Sequence, residues 1–161
     1  MWKITSTLTN LNCPSSSTLR GISAPSVDHV WACGGNRIYY YNGTDFTNQI
    51  APAGTFNDIH FINNQQGWVV GNAGIIGYTE DGSNIYSWNE QTNPDPLERT
   101  LSNVFFLDSE HGWAVGVNGV ILHTTDGGTN WAIVGEGLST VYLAGIHFTS
   151  PTNGYVVGNN G

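Results

Sequence analysis

Acidic side chains are the first residues of this sequence that could do chemistry, because two carboxyl groups set across a sugar are the minimum for most glycosidases. Nothing in the spacing of the carboxylates singles out one such pair, and the chain has only three arginines. The residues that could be considered are Glu90, Asp95, Glu98 and Asp108, with Arg20, Arg37 and Arg99 as the available arginines. We therefore predict no catalytic residue and no enzyme.

Five histidines raise the question of a metal site. His60 and His147 occupy one place in a repeated phrase, and His29 and His111 occupy another. Residues that recur at one position of a repeat lie on different copies of it, so a structural part is the favoured interpretation. No His-Glu-x-x-His or Cys-x-x-Cys spacing is present, and no calcium loop surrounds Asp126. We predict neither a metal nor a cofactor.

The two cysteines allow two interpretations. Cys33 stands where the other copies of its phrase have valine, so it is interpreted as a small buried hydrophobic residue. Cys13 lies in a segment rich in serine and proline. A Cys13–Cys33 disulfide stays open as an alternative for an oxidising compartment.

Charge excludes two classes of partner. The formal net charge is −8 and the chain has four Lys and Arg residues, so it lacks the basic cluster needed to bind nucleic acid or an anionic membrane surface. The first residues lack the apolar core of a signal peptide, and no run is long enough for a transmembrane helix. Only 10% of residues are charged, a composition compatible with a virion, extracellular or periplasmic setting, and the localisation stays unknown.

A repeated phrase must position these side chains. An aromatic residue followed by two small apolar residues and glycine begins at Trp31, Trp68, Trp113 and Tyr155, with separations of 37, 45 and 42 residues. A period of about 40 is typical of one four-stranded blade of a β-propeller. We predict repeats at 17–50, 54–90, 98–135 and 140–161, with 1–8 as a strand that closes the ring.

Short strands and turn signals fill each repeat. A strand pattern precedes each aromatic phrase, as in 58–61 and 103–106, and Asn-Gly or a similar turn follows it, as in 118–119. No helical period of sufficient length is present. The sequence therefore predicts an all-β fold, an incomplete propeller of four-stranded antiparallel blades with about 3.5 blades in this chain.

The segment 124–131, Thr-Thr-Asp-Gly-Gly-Thr-Asn-Trp, resembles the Asp-box hairpin of the BNR repeat. In that family the aspartate locks the turn and the tryptophan packs between blades, which implies these parts for Asp126, Gly128 and Trp131. Asp81 and Trp88 form a looser copy with two extra residues.

The wider pattern combines three motifs in order, Gly-Trp-Ala-Val-Gly, Asn-Gly-Val-Ile and Thr-Asp-Gly-Gly-x-x-Trp. This combination resembles the propeller family of the photosystem II assembly and stability factor, which has bacterial and phage relatives. The resemblance covers roughly residues 19–161. Photosynthetic members are described as binding their client through a basic patch, and with four basic residues this chain departs from that pattern. The resemblance implies an assembly factor that binds protein.

Loops on a rigid scaffold are the places where recognition is expected. The proline-containing linker 89–98 is the first predicted contact surface, and aromatic residues outside the repeated positions are the second because their flat faces could stack on sugars. The predicted contact residues are Asn89, Glu90, Asn93, Asp95, Glu98, Tyr39 and Tyr41.

Three functions follow from these features. The favoured one is a non-enzymatic scaffold for protein–protein interaction, as an assembly factor or a structural part of a larger particle such as a virion. The alternatives are a glycan-binding surface module and a fragment of an Asp-box glycosidase, although the three arginines stand at non-equivalent repeat positions. The last repeat stops after two strands, which predicts either a portion of a six- to eight-bladed protein or an open blade edge that pairs with another chain.

Overall fold

Sixteen β-strands make up the fold in the computed structural model, which describes residues 1–4, 8–134 and 141–159. Three consecutive four-stranded antiparallel sheets lie between two two-stranded sheets. The predicted fold class, a β-propeller of about 3.5 four-stranded blades, is confirmed. We call the four-stranded sheets blades 1, 2 and 3, and the last two-stranded sheet blade 4.

The strands follow one another within each blade in chain order. The N-terminal hairpin has β1 (Trp2–Ile4) and β2 (Leu8–Asn10). Blade 1 has β3 (Gly21–Ser26), β4 (His29–Gly34), β5 (Arg37–Tyr41) and β6 (Phe46–Gln49). Blade 2 has β7 (Phe56–Phe61), β8 (Gly67–Gly71), β9 (Ile76–Thr79) and β10 (Asn89–Glu90). Blade 3 has β11 (Leu101–Phe106), β12 (Gly112–Gly116), β13 (Ile121–Thr124) and β14 (Ala132–Ile133), and blade 4 has β15 (Leu143–Ser150) and β16 (Asn153–Gly158).

Tight turns join the second and third strands of blades 2 and 3. Ala73 and Asn118 both adopt φ 53° and are followed by Gly74 and Gly119 at φ 66° and 67°. Two successive left-handed residues match the right-handed twist of the flanking strands, as a type I′ turn requires. In blade 1 the turn is shorter, because Gly34 already pairs with Arg37.

Stacked aromatic rings hold neighbouring blades together. Trp31 of blade 1 lies 3.8 Å from Phe61 of blade 2, with ring planes 10° apart. Trp68 stacks on Phe106 at 3.5 Å, and the third interface repeats the arrangement. These rings are buried with the apolar residues around them, so the core lies between blades rather than within one sheet.

Polar bridges join the innermost strands, β3, β7, β11 and β15. The Asp58 carboxylate accepts the backbone N–H of Val104 at 3.0 Å and the side-chain amide of Asn103 at 2.5 Å. Asn103 in turn accepts the N–H of Ile146 at 3.0 Å. Desolvation raises the pKa of Asp58 to about 6, so the charged form of this bridge is disfavoured by burial.

The N-terminal hairpin pairs within itself, from Trp2 with Asn10 to Ile4 with Leu8. The ring-closing strand at 1–8 and the four repeat boundaries stay predictions; residues 5–7, 135–140 and 160–161 lie outside the described part of the chain. Cys13 and Cys33 are free thiols, and Cys33 is completely buried. Within the described residues, no helix has the length and apolar character to cross a membrane.

Candidate functional site: a groove beside the linker between blades 2 and 3

A groove of about 920 Å³ runs between the linker after β10 and the edge of blade 2. One wall is the linker from Glu90 to Glu98, and the other comprises residues 53–55 and the tight turn 72–75. Binding clefts commonly have volumes of a few hundred to about 1,000 Å³. The linker that the sequence predicts as a contact surface therefore forms one wall of a real concavity.

Asp95 organises the linker wall. Its carboxylate accepts the backbone N–H groups of Leu97 and Arg99, at 3.2 and 3.0 Å, and two bonds from the Arg99 guanidinium at 2.8 and 3.1 Å. Burial alone would raise the pKa of Asp95, but the hydrogen bonds from Arg99 outweigh it and lower the pKa below its ordinary value. Asp95 is therefore an anchor of the wall and stays charged.

A hydrogen bond ties the linker to the opposite wall. The Asn93 side-chain amide donates to the Gly74 carbonyl at 2.7 Å, and its oxygen accepts the N–H of Asp95 at 2.8 Å. A side chain at position 74 would collide with Asn93, which adds to the reason for glycine given by its positive φ. The groove is thus fixed by short polar contacts between residues 19 apart in sequence.

The structure corrects part of the predicted contact surface. Asn89, Glu90 and Glu98 are exposed and Asn93 is half-buried, so these four can be reached. Three others are buried: Asp95 is 2% exposed, and Tyr39 and Tyr41 are 7% exposed.

The burial of Asp95, Tyr39 and Tyr41 has a separate physical cause for each residue. Asp95 is enclosed by the N–H groups and guanidinium that it accepts. Tyr39 lies in β5, between β4 and β6. The Tyr41 hydroxyl donates to the Gly43 carbonyl at 2.7 Å while the ring packs against Phe46. These three are removed from the contact surface.

Asp126 occupies the centre of the Asp-box turn. One carboxylate oxygen accepts the Thr124 hydroxyl and the Asn130 N–H, both at 2.8 Å, and the other accepts the Asn130 side-chain amide at 2.7 Å. These bonds, led by the backbone N–H of Asn130, lower the pKa of Asp126. Gly127 and Gly128 adopt φ 70° and 88° within the same turn.

The looser Asp-box copy in blade 2, from Asp81 to Trp88, is held by different hydrogen bonds. The Asp81 carboxylate accepts the Ser83 hydroxyl at 2.7 Å, while Ser87 donates to the Asp81 backbone carbonyl at 2.6 Å. The side chain of Ser87 therefore closes the turn that the two extra residues widen. Both box tryptophans are nearly buried, with Trp88 at 6% and Trp131 at 7% exposure.

Two hydrogen bonds between blades have no signature in the sequence. The indole N–H of Trp31 donates to the Gly82 carbonyl at 2.9 Å, and that of Trp68 donates to the Gly127 carbonyl at 3.0 Å. Each box turn thus accepts the tryptophan of the preceding blade. The two pairs are 51 and 59 residues apart in sequence, so their spacing gives no signal for these bonds.

Carboxylates are divided unequally between the two ends of the blades. We call the end that carries the Asp-box turns the box face and the end that carries the turns 72–74 and 117–119 the linker face. In the described part of the chain, the turns of the box face contain seven acidic residues and no Lys or Arg: Asp28, Asp45, Glu80, Asp81, Asp108, Glu110 and Asp126.

All three arginines stand at the linker face. Arg20 directly precedes β3 and donates to the Asn57 side chain at 2.7 Å, Arg37 begins β5, and Arg99 donates to the Asn118 carbonyl at 3.2 Å. The groove opens on this same face. Sequence spacing hides this grouping because the three arginines occupy different positions of their repeats.

The carboxylates considered for glycosidase chemistry do not form one site. Asp95 is bound to Arg99 beside the groove, whereas Asp108 binds His111 at 3.0 Å in a turn of the box face. Within residues 1–4, 8–134 and 141–159, no group of three or more His, Cys, Asp or Glu side chains is arranged to hold a metal. Glu90 and Glu98 are the acidic groups exposed at the groove.

Comparison with known proteins places this geometry in a family. A family model described as "Photosynthesis system II assembly factor YCF48" matches residues 45–140, more than half of the chain. A solved structure titled "YCF48 bound to D1 peptide" is 24% identical, with a TM-score of 0.69 over 81% of this chain and 46% of its own. YCF48 from Cyanidioschyzon merolae is 22% identical, with a TM-score of 0.71 over 89% of this chain and 49% of its own.

The chain therefore spans about half the length of these two solved structures. No protein with a curated description matches it. The two structures support the propeller fold, and the family model covers blade 2, blade 3 and the linker between them. On this match, the chain belongs to the photosynthesis system II assembly factor YCF48 family.

Proposed function

We propose that the chain is a non-enzymatic propeller scaffold that binds a segment of another protein in the groove beside residues 90–98, and that this binding serves the assembly of a larger complex. The observation that carries the proposal is the groove itself, about 920 Å³ in volume with walls joined by the Asn93–Gly74 hydrogen bond. Preformed walls favour binding because little ordering entropy is lost.

Family membership supports the assembly role. The relative whose structure is titled "YCF48 bound to D1 peptide" binds a peptide, which is the class of ligand that we propose here. The composition, with few charges and many uncharged polar residues, is compatible with a particle such as a virion as the assembly concerned.

Exposed backbone and carboxylate groups determine what the groove can recognise. Ala73, which is exposed, and Gly54, which is half-buried, present main chain with little side chain, a surface against which an extended peptide can lie closely. Glu90 and Glu98 add two carboxylates, whereas the guanidinium of Arg99 is bonded to Asp95. We infer that the preferred segment is extended and carries Lys or Arg near the linker wall.

Peptide binding is the direct test. Thr92 is exposed and lines the groove, so Thr92→Trp narrows it without touching the core. Thr152→Trp is the matched control, because Thr152 is exposed in the β15–β16 turn of the box face. The probes are the D1 peptide first and then peptides selected from a displayed random library. We expect them to bind the wild type and the control equally well. For Thr92→Trp we expect their affinity to fall at least tenfold.

Two outcomes would overturn the proposal. One is a library that yields no peptide, and the other is a set of peptides whose affinity is the same for Thr92→Trp and wild type.

The glycan-binding alternative rests on Tyr86, which is 72% exposed, since Tyr39 and Tyr41 are buried. Glycan-array binding that Tyr86→Ala abolishes, with no peptide bound, would favour that alternative instead.

A further inference from the structure

Two residues that line the groove adopt a backbone conformation that their side chains disfavour. Among the described residues, four other than glycine have a positive φ: Asn12, Ala73, Glu98 and Asn118. Asparagine enters this left-handed region far more readily than alanine or glutamate, whose Cβ meets a steric penalty there. The two residues that are not asparagine, Ala73 at φ 53° and Glu98 at φ 45°, both line the groove. Strained residues of this kind cluster at ligand-binding sites.

The equivalent turn of blade 3 shows that the fold does not require alanine at position 73. Ala73 and Asn118 share a φ of 53°, with ψ of 32° and 34°. A backbone hydrogen bond of 3.1 Å closes each turn, from the N–H of Gly71 to the carbonyl of Ile75 in blade 2 and between the equivalent residues of blade 3. Asparagine therefore suits this backbone, and the alanine of blade 2 needs a reason outside the turn.

Space in the groove supplies that reason. Ala73 is exposed and lines the groove with no more than a methyl group for a side chain. A Cβ on the neighbouring Gly74 would lie 3.3 Å from the Glu98 main chain, so the two walls approach each other closely at this place. A longer side chain at position 73 would extend into the space between the walls, where the main chain of a bound segment has to lie.

Glu98 ends a turn for which glycine or asparagine is the ordinary residue. Its backbone N–H donates to the Asp95 carbonyl at 3.0 Å, and the N–H of the next residue, Arg99, donates to the Asp95 carboxylate at 3.0 Å. Both bonds are made by main-chain donors, so neither requires a glutamate side chain. What glutamate adds at this exposed place is a carboxylate at the groove.

We propose that Ala73 and Glu98 determine the specificity of the groove, an inference that rests on the proposed function. Ala73 keeps its wall low enough for the main chain of an extended segment to approach. Glu98 supplies the carboxylate that pairs with a Lys or Arg of that segment. Each residue lowers the stability of the free protein in favour of recognition.

Substitutions at position 73 separate stability from recognition. Ala73→Gly should raise the Tm by about 2–4 °C and Ala73→Asn should raise it as well, because both residues suit a positive φ. Only Ala73→Asn should weaken the binding of a library-selected peptide, by at least fivefold, since only asparagine adds side chain to the groove. Asn118→Gly is the matched control in the turn of blade 3, and it should leave the Tm and the affinity nearly unchanged.

A double-mutant cycle tests the carboxylate. Glu98→Gln keeps the left-handed residue and removes its charge. In titration calorimetry at low salt, we expect it to lower the affinity for a selected peptide about fivefold, and to have no effect on the same peptide with its Lys or Arg replaced by glutamine. Glu90→Gln is the control, since Glu90 is the other exposed groove carboxylate and lies in β10 with ordinary backbone angles, and its effect should be smaller.

The outcomes distinguish this inference from the proposed function. Affinities that are equal for wild type, Ala73→Asn and Glu98→Gln, with binding still lost in Thr92→Trp, would overturn the inference and leave the proposed function standing. A fall in Tm for Ala73→Gly would also contradict it, because Ala73 would then not be strained. A wild-type protein that binds no selected peptide would overturn both.

Discussion

At the scale of single residues, Asp126 shows how one exposed side chain determines a turn. Its carboxylate accepts hydrogen bonds from Thr124 and Asn130 across the box, and the two glycines between them adopt positive φ. The sequence resemblance implies this role, and the contacts explain it: the carboxylate fixes N–H groups that the turn would otherwise leave to solvent.

Replacing this carboxylate should loosen blade 3. We expect Asp126→Ala to lower the Tm by a few degrees, because three hydrogen bonds to the carboxylate are lost while the core is unchanged. Asp45→Ala is the control, since Asp45 is exposed in the β5–β6 turn of blade 1, where the Asn42 side chain accepts the Asp45 backbone N–H. Thermal unfolding measures both; equal Tm changes in the two variants would contradict the turn-lock assignment.

Asp58 is a half-buried carboxylate with the opposite effect on stability. Desolvation raises its pKa to about 6 in the folded state, above the ordinary value of 3.8. A raised folded-state pKa means that the stability present below pH 3.8 is lost as the pH rises through about 6. The cost of the charged form at neutral pH is about 3 kcal/mol from this shift.

Asp58→Asn should therefore stabilise the protein at neutral pH. An asparagine oxygen can still accept the N–H of Val104, and it carries no charge to desolvate. The free-energy gain over the wild type should grow between pH 4 and pH 6, reach about 1–3 kcal/mol and then level off. Urea unfolding across this range measures the gain, and a gain independent of pH would be incompatible with a raised pKa.

At the scale of elements, the stacked pair of Trp68 and Phe106 joins blade 2 to blade 3. The ring centroids are 3.5 Å apart, and Trp131 meets the same phenylalanine edge-on at 5.8 Å. Three rings from two blades thus form one contact, and the indole N–H of Trp68 adds its bond to Gly127. Such pairs stabilise beyond the area that they bury.

Phe106→Leu should cost about 1–3 kcal/mol in the free energy of unfolding, because it removes the stacking and leaves a cavity. Phe106 is 2% exposed. Phe46→Leu is the control, since Phe46 is only partly buried in the outermost strand of blade 1 and should cost less. Denaturant unfolding compares them, and an equal or larger loss in Phe46→Leu would contradict the assignment of the core to the interfaces between blades.

The repeats could be predicted from the sequence because the constraints on them are local. Trp31, Trp68 and Trp113 lie in the equivalent second strands of their blades, and left-handed turns follow at Ala73-Gly74 and Asn118-Gly119 in blades 2 and 3. The buried state of Tyr39 and Tyr41 could not be predicted in this way. Their strand reads like the other third strands, and burial depends on neighbouring strands and on a bond to Gly43.

The groove could be predicted only in part, for the same physical reason. Proline and uncharged polar residues identify 89–98 as a linker, but the second wall comes from a turn 19 residues away, which Asn93 reaches through its bond to Gly74. Asp95 looks like a surface carboxylate in sequence and is instead the buried anchor of the linker. Long-range contacts of this kind leave no local pattern.

At the scale of the whole molecule, charge and shape distinguish the two faces. Among the residues that the structure describes, the turns of the box face carry seven carboxylates, whereas the linker face carries the three arginines and the groove. A partner segment that docks in the groove, as proposed, meets the exposed carboxylates of Glu90 and Glu98 on the linker wall. This division gives the proposed scaffold one recognition face.

Hydrogen–deuterium exchange of the complex with a library-selected peptide tests the central claim most directly. We expect slower exchange in 53–55, 72–75 and 90–98, the two walls of the groove, and unchanged exchange in the box turn 124–131. Thr92→Trp should abolish the difference. Protection confined to the turns of the box face, or protection at the groove that persists in Thr92→Trp, would contradict the account.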